Sequence, residues 1–192
     1  MEYSKSNPQW YFPWLWYDFF KVDPVDETVV HFIAIDTQSI LLHKHDFERQ
    51  LAWLEELLER STADWKIIVG HYPPYSSGNY APGTLTLRDL LVPLCNKYGV
   101  DIFFNGHDHN LQHISSANVT NYVISGGGGR GLYEYSRAGE RVLNDWGLSL
   151  DYFGYHHGFV AMEMTKTAMT AEFVDAGLNV RYSFTRNKSS IR

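Results

Sequence analysis

Three short apolar runs, each closed by a turn residue, set the rhythm of the chain. They are "VVHFIAI" (Val29 to Ile35) before Asp36, "KIIVG" (Lys66 to Gly70) before His71, and "VDIFFNG" (Val100 to Gly106) before His107. Runs of this length, rich in Val, Ile and Phe, predict buried strands. Between the first two, Phe47, Leu51, Leu54 and Leu58 recur at i, i+4, i+7 and i+11, which predicts an amphipathic helix capped by Asp46. Between the second and third, "TLRD" (Thr86 to Asp89) fits a capping box, and Leu87, Leu90, Leu91 and Leu94 continue the apolar pattern. Pro93 is expected to kink or shift that helix. From Asn121 the pattern changes to short runs broken by glycines, "NYVIS", "GFVAMEM", "MTAEFVD" and "VRYSF", which predict an antiparallel completion of a sheet. The whole reads as one α/β domain over residues 1–192, a βαβαβ core followed by antiparallel strands. In such a sheet, ligands gather beyond the carboxyl ends of the strands.

Composition narrows the function. A chain of 192 residues with 44% hydrophobic residues can bury one continuous core, and a net charge of -6 leaves no basic stripe for nucleic acid. No run approaches the ~18 apolar residues of a membrane span, and residues 1–20 lack the basic and apolar regions of an export signal. The single cysteine, Cys95, cannot form an internal disulfide and falls at an apolar helical position, as a buried thiol would. "NVT" at Asn118 and "NKS" at Asn187 are glycosylation sequons. The aromatic block "QWYFPWLWYDFF" (Gln9 to Phe20) predicts a surface buried against this chain or another, with Trp10, Trp14 and Trp16 as docking residues.

The chemistry lies in "NGHDHNLQH". His-x-His spacing alone is weak, since nine histidines in 192 residues predict roughly 0.4 such pairs by composition. His43-Lys44-His45 reproduces it in a polar connection and is expected to face solvent, and His156-His157 reads as a loop pair. His107 and His109 differ because a glycine before them permits a sharp turn at a strand end. His71 occupies the same place after another strand, so three imidazoles can converge on one point. Neutral imidazole suits transition metals, and three histidines are compatible with a mononuclear zinc site or with a larger cluster. Asp36 fits either a carboxylate behind such a site or an Asx turn. "SGGGGRG" (Ser125 to Gly131) lacks the Gly-Lys-Ser/Thr ending of a phosphate loop and reads as a turn at the site's rim.

"VGHYPPY" and then "NGHDHNLQ" resemble the last two signature blocks of the calcineurin-like metallophosphoesterases, and specifically of the purple, tartrate-resistant type of acid phosphatase. "EYSK", "IAIDT", "RQLAWLEELL", "NYVISGGGG" and "GFVAMEM" have counterparts in the same order. The resemblance implies an α/β sandwich and hydrolysis of phosphate monoesters at a dinuclear centre of Fe(III) and a divalent metal (Fe, Zn or Mn). His71 and His107 would bind the divalent ion and His109 the iron. It also implies in-line displacement at phosphorus, with the cations neutralising charge. Secreted, lysosomal or vacuolar location is usual for the family.

The family's earlier blocks, DxG, GDxxY and GNH, do not occur in this sequence. By that comparison the chain corresponds to the carboxyl-terminal part of the enzyme and holds only the histidine ligands, so it is expected to be inactive alone. A substrate-side histidine in the loop after GHYP is replaced by "SSGNYAPGT", which offers Asn79 and Tyr80. The connection from Gln38 to His45 is shorter than the protease-sensitive loop of mammalian relatives. An alternative is a non-catalytic interaction protein that keeps half a phosphatase fold and self-associates or binds a partner through exposed apolar surface.

Overall fold

The computed structural model describes residues 11–44, 46–117 and 120–188. The three predicted runs form strands β2 (Val29–Ala34), β3 (Trp65–Val69) and β4 (Ile102–Asn105), paired in parallel. Helices α1 (Thr37–Leu41) and α2 (Phe47–Arg60) join β2 to β3, and α3 (Leu85–Tyr98) joins β3 to β4. The edge strand β1 (Tyr17–Val22) runs antiparallel to β2. With β5 (Leu111–Ser116), β6 (Asn121–Ser125) and β7 (Leu148–Gly154) they form a seven-stranded sheet in the order β1-β2-β3-β4-β6-β5-β7. Helix α4 (Arg137–Asp145) precedes β7.

The expected antiparallel completion is present, with two features that the sequence pattern did not carry. First, β6 ("NYVIS") lies parallel to β4, because β5 steps outward and leaves the slot beside β4 to it. Consecutive burial of Tyr122, Val123 and Ile124 is the pattern of an interior strand covered on both faces. Second, β8 (Gly158–Met164), β9 (Ala168–Asp175) and β10 (Val180–Asn187) form a separate three-stranded sheet stacked on the first. Met169 and Phe173 of β9 pack with Trp65, Ile67, Ile102 and Val123 of the large sheet. On the opposite face Ile33, Ile68 and Phe103 meet Leu54 and Leu58 of α2 and Leu87 and Leu91 of α3. Adjacent residues Ile67 and Ile68 thus serve different layers, as the two-residue period of a strand requires.

Both predicted side-chain caps fail. Asp46 stands before α2 in the left-handed region (φ 59) with no side-chain cap bond. Helix α3 begins at Leu85 rather than within "TLRD", its entry held by Thr84 N–H donating to Pro73 O at 3.0 Å. It continues through Pro93, which is exposed, and stops where Gly99 turns left-handed (φ 64). Cys95 is buried as expected, and burial pushes its thiol up to about 12.

His113 of β5 is buried between the two sheets. Its Nδ1 lies 2.9 Å from Tyr182 Oη and its Nε2 2.9 Å from Asn121 Oδ1, and Phe184 stacks on the ring at 3.8 Å. Burial holds its pKa below the ordinary 6.5, against the opposing pull of the Asn121 hydrogen bond and the Asp151 carboxylate. The unfolded chain therefore takes up this proton first as pH falls. The stability contributed by neutral His113 is complete above 6.5 and is lost as pH drops through the lower folded value. Urea unfolding between about pH 7 and 5 is expected to show a loss from this group, bounded by about 1.4 kcal/mol per pH unit for one proton, and His113→Gln should flatten the slope.

Candidate metal centre

The site is built on the carboxyl ends of β3 and β4. Beyond β3, Gly70 N–H donates to Phe104 O at 2.9 Å, and a Cβ at Gly70 would stand 2.5 Å from Thr37 Cγ2. That close approach lets Thr37 Oγ1 accept from the backbone N–H groups of His71 (3.1 Å) and Tyr72 (3.0 Å), which fixes the start of the histidine loop. Gly106 N–H donates to His71 O at 3.0 Å and ties the two strand ends together.

The turn after β4 differs from expectation. Gly106 is not the residue that needs unusual backbone freedom, since a Cβ there would meet only His71 Nδ1 at 3.8 Å. His107 itself is left-handed (φ 63), and Asp108 N–H closes a three-residue turn onto Gly106 O at 2.7 Å. A γ-turn with positive φ at its centre is the rarer, strained form, so backbone strain is held at a candidate ligand.

His71 Nε2 lies 3.2 Å from His107 Nδ1. His109 Nδ1 lies 3.0 Å from Gly131 O, which commits that nitrogen as donor and leaves Nε2 as the basic one, and the ring stacks on Tyr133 at 4.2 Å. Burial lowers the pKa of His71, with His109 adding to the effect. Burial also lowers that of His107, aided by His71 and His109 and opposed by Asp108. Both are thus biased toward the neutral imidazole that binds metals.

Asp108, between the two histidines, is the functional residue that the sequence reading passed over. It is 0% exposed and accepts from the Ser76 hydroxyl, from Asn79 N–H (3.2 Å), from Tyr80 N–H (3.4 Å) and from Asn110 Nδ2 (3.3 Å). Gln112 completes the network, donating to Ser76 Oγ (3.0 Å) and Asn110 Oδ1 (2.8 Å) and accepting from Ser77 N–H (2.7 Å). The signal was available: Asp108, Asn110 and Gln112 recur at a period of two, placing three polar groups on one side of a strand-like segment. Through this network the loop carrying Asn79 and Tyr80 is fastened beneath the histidines. Asn79 is exposed, and the Tyr80 ring lies 4.0 Å from the His107 ring. A hydrogen bond with Tyr133 holds the Tyr80 phenol above its ordinary pKa, so it stays protonated.

The other histidines stay apart from this cluster. His43 is exposed and tilts against Phe47 at 4.7 Å, while His45 lies outside the described residues. His156 Nε2 lies 2.7 Å from Tyr152 Oη and His157 Nδ1 3.1 Å from Gly127 O, as a loop pair does. Asp36 caps α1, accepting from Gln38 N–H (3.0 Å) and Ser39 N–H (3.1 Å), so of its two readings the Asx turn is the observed one. The "SGGGGRG" run opens no helix and passes along the site's rim, where a Cβ on Gly126 would fall 1.9 Å from Asp108 O.

Among the described residues, no group of three or more His, Cys, Asp or Glu side chains is placed to hold a metal ion. The facing imidazoles of His71 and His107 fit part of one metal's shell. No carboxylate joins them, because Asp108 is fully engaged below, so these residues by themselves do not fit a complete dinuclear centre.

Parallel strands lie between helices and a second sheet, with histidines on adjoining strand ends. Residues 2–111 match the calcineurin-like phosphoesterase family, and the chain belongs to it. It is similar to tartrate-resistant acid phosphatase type 5 of Oryctolagus cuniculus, 32% identical over 190 residues that cover 91% of this chain and 58% of that protein. The chain therefore spans less than two thirds of that relative's length. Among solved structures, GAP50, the anchor in the inner membrane complex of Plasmodium, superposes with a TM-score of 0.76 at 25% identity, covering 94% of this chain and 57% of that one. Purple acid phosphatase PPD1 from Lupinus luteus gives 0.73 at 21% identity, covering 91% and 33%. No helix among the described residues is long and apolar enough to cross a membrane.

Proposed function

We propose that this chain supplies the histidine side of a metal-dependent phosphate monoesterase of the purple acid phosphatase type. His71 and His107 would hold a divalent ion, His109 an iron, and Tyr80 and Asn79 would line the substrate. The observation that carries this reading is the 3.2 Å approach of His71 Nε2 to His107 Nδ1 at the ends of neighbouring parallel strands. Two basic imidazole nitrogens repaid by one hydrogen bond are a poor end in themselves, but a good start for a shared cation. The metals, when bound, would supply charge neutralisation at the phosphoryl oxygens. The chain's own groups would orient the ester: the protonated Tyr80 phenol donates to a phosphoryl oxygen, and the Asp108 network keeps its loop in place. Carboxylate ligands would come from outside the 192 residues, so the chain alone should bind metal weakly and turn over little. Export to an acidic compartment or the cell exterior follows the same reading.

Zinc titration followed by imidazole NMR tests it. The ring resonances of His71 and His107 are expected to shift together, and His71→Ala should weaken binding at least tenfold. Zinc-induced shifts confined to His43 or His156, or none, would remove the metal reading.

A second reading is favoured by the likeness to GAP50, the anchor in the inner membrane complex of Plasmodium. Here Trp14 (51% exposed), Phe20 (51%) and Val25 (90%), on and beside the edge strand β1, are exposed apolar side chains available for self-association or a partner. A folded chain that binds no metal at any concentration would select this reading over the first.

A further inference from the structure

Away from the histidine turn, β1 and the carboxyl end of α2 enclose a cavity of about 340 Å³. Phe20, Trp53 and Leu57 give it apolar walls, and His31, Ser61, Glu56 and Arg60 supply its polar groups. Such a volume is at the small end of the range for ligand pockets. His31 is 0% exposed, an imidazole within the otherwise apolar strand β2, and its partners explain how it is tolerated. Its Nε2 lies 3.0 Å from Asp18 Oδ2 on β1, and its Nδ1 lies 2.8 Å from Ser61 Oγ, at the end of α2.

Hydrogen-bond arithmetic orders the three groups. An ionised carboxylate only accepts, so His31 Nε2 carries a proton toward Asp18. In the neutral imidazole Nδ1 is then the acceptor, and the Ser61 hydroxyl donates to it. The hydroxyl proton is committed to a base while the oxygen's lone pairs remain free beside the cavity. Phe20 stacks on the imidazole at 4.0 Å and shields one face from water. Nucleophile, base and orienting carboxylate are within hydrogen-bond reach in sequence, which is the geometry that activates a serine.

We propose that Ser61 is a second, metal-independent nucleophile, with His31 as its general base and Asp18 as positioning residue, acting on small carboxylic esters with an apolar acyl group. Ser61 Oγ forms a bond to the acyl carbon as the ester C–O bond breaks. The serine proton passes to His31 Nδ1 and then to the departing alcohol. Water repeats the exchange, regenerating the serine and releasing the acid. Phe20, Trp53 and Leu57 hold the acyl group, and the Glu56–Arg60 ion pair (2.9 Å) stands at the mouth.

The test uses the intact 192-residue chain and a small alkyl fluorophosphonate. In that reaction the Oγ–P bond forms, the P–F bond breaks, fluoride leaves and the proton goes to His31. One adduct is expected, mapped to Ser61 by peptide mass spectrometry and absent from Ser61→Ala. His31→Gln should slow labelling about a hundredfold and Asp18→Asn about tenfold. Labelling should proceed equally in a metal chelator, which separates failure of this proposal from failure of the phosphatase reading. An unlabelled Ser61 in the folded chain, or an unchanged rate in His31→Gln, would overturn the assignment and leave the three residues as a tie between β1 and α2. Should His31→Gln fail to fold, Asp18→Asn decides, because its side chain is 28% exposed and the exchange keeps its shape.

Discussion

Replacing Asp108 with alanine is expected to cost about 3 to 5 kcal/mol, the largest loss from any polar side chain near the candidate site. The carboxylate is fully buried and accepts from the Ser76 hydroxyl, two backbone N–H groups and the Asn110 amide. Removing it strands those donors in a place water reaches poorly, and each unpaired buried donor costs about 1–3 kcal/mol. A methyl group also leaves the space against which Gly78 packs, since a Cβ there would lie 2.5 Å from Asp108 Oδ2. Asp108→Asn should cost about half as much, because it keeps one acceptor but turns an amide N–H₂ toward existing donors. Urea unfolding gives the magnitudes. The same variants should move the ring resonances of Tyr80 and His107, because the loop from Ser76 to Tyr80 is anchored to this carboxylate. An Asp108→Ala chain as stable as wild type would mean that Asp108 does not organise the loop.

What could be read from the sequence divides along the same physical line. The βαβαβ core was legible because Ile33, Ile68 and Phe103 lie in contiguous apolar runs, and burial is written directly in composition. The parallel placement of β6 was not, because pairing depends on β5 leaving a slot open, a long-range choice that "NYVIS" does not carry. The failed caps at Asp46 and Thr86 show local propensity overruled by how the preceding loop enters each helix. At the site, the place of His71 and His107 after strands is read from the sequence, and the structure sets their ring nitrogens 3.2 Å apart. Asp108 was passed over because attention to metal-ligand types hides a carboxylate whose partners lie some thirty residues earlier, in a loop with no regular structure. Ser61, His31 and Asp18 were equally invisible, being far apart in the chain, Asp18 brought to His31 by the pairing of β1 with β2 and Ser61 by the end of α2.

Exchanging His107 for glycine and, separately, for alanine should separate the cost of its backbone from the use of its side chain. Both variants remove the imidazole, so both should lose divalent-ion binding at least tenfold, together with the ring contacts to His71, Tyr72 and Tyr80. They differ in what remains at φ 63. Alanine keeps the Cβ that makes the left-handed region unfavourable by about 1–2 kcal/mol, whereas glycine occupies it freely at a cost of about 0.5–1 kcal/mol in unfolded-state entropy. His107→Gly is therefore expected to be more stable than His107→Ala by about 1 kcal/mol, the reverse of their order in a helix or strand. Thermal unfolding of the two variants measures this difference without reference to wild type. If alanine proves the more stable, the turn has relaxed in the variants and the strain does not belong to this backbone position. If glycine does, the chain keeps an imidazole where its backbone would favour glycine, and the retained side chain is what the strain supports.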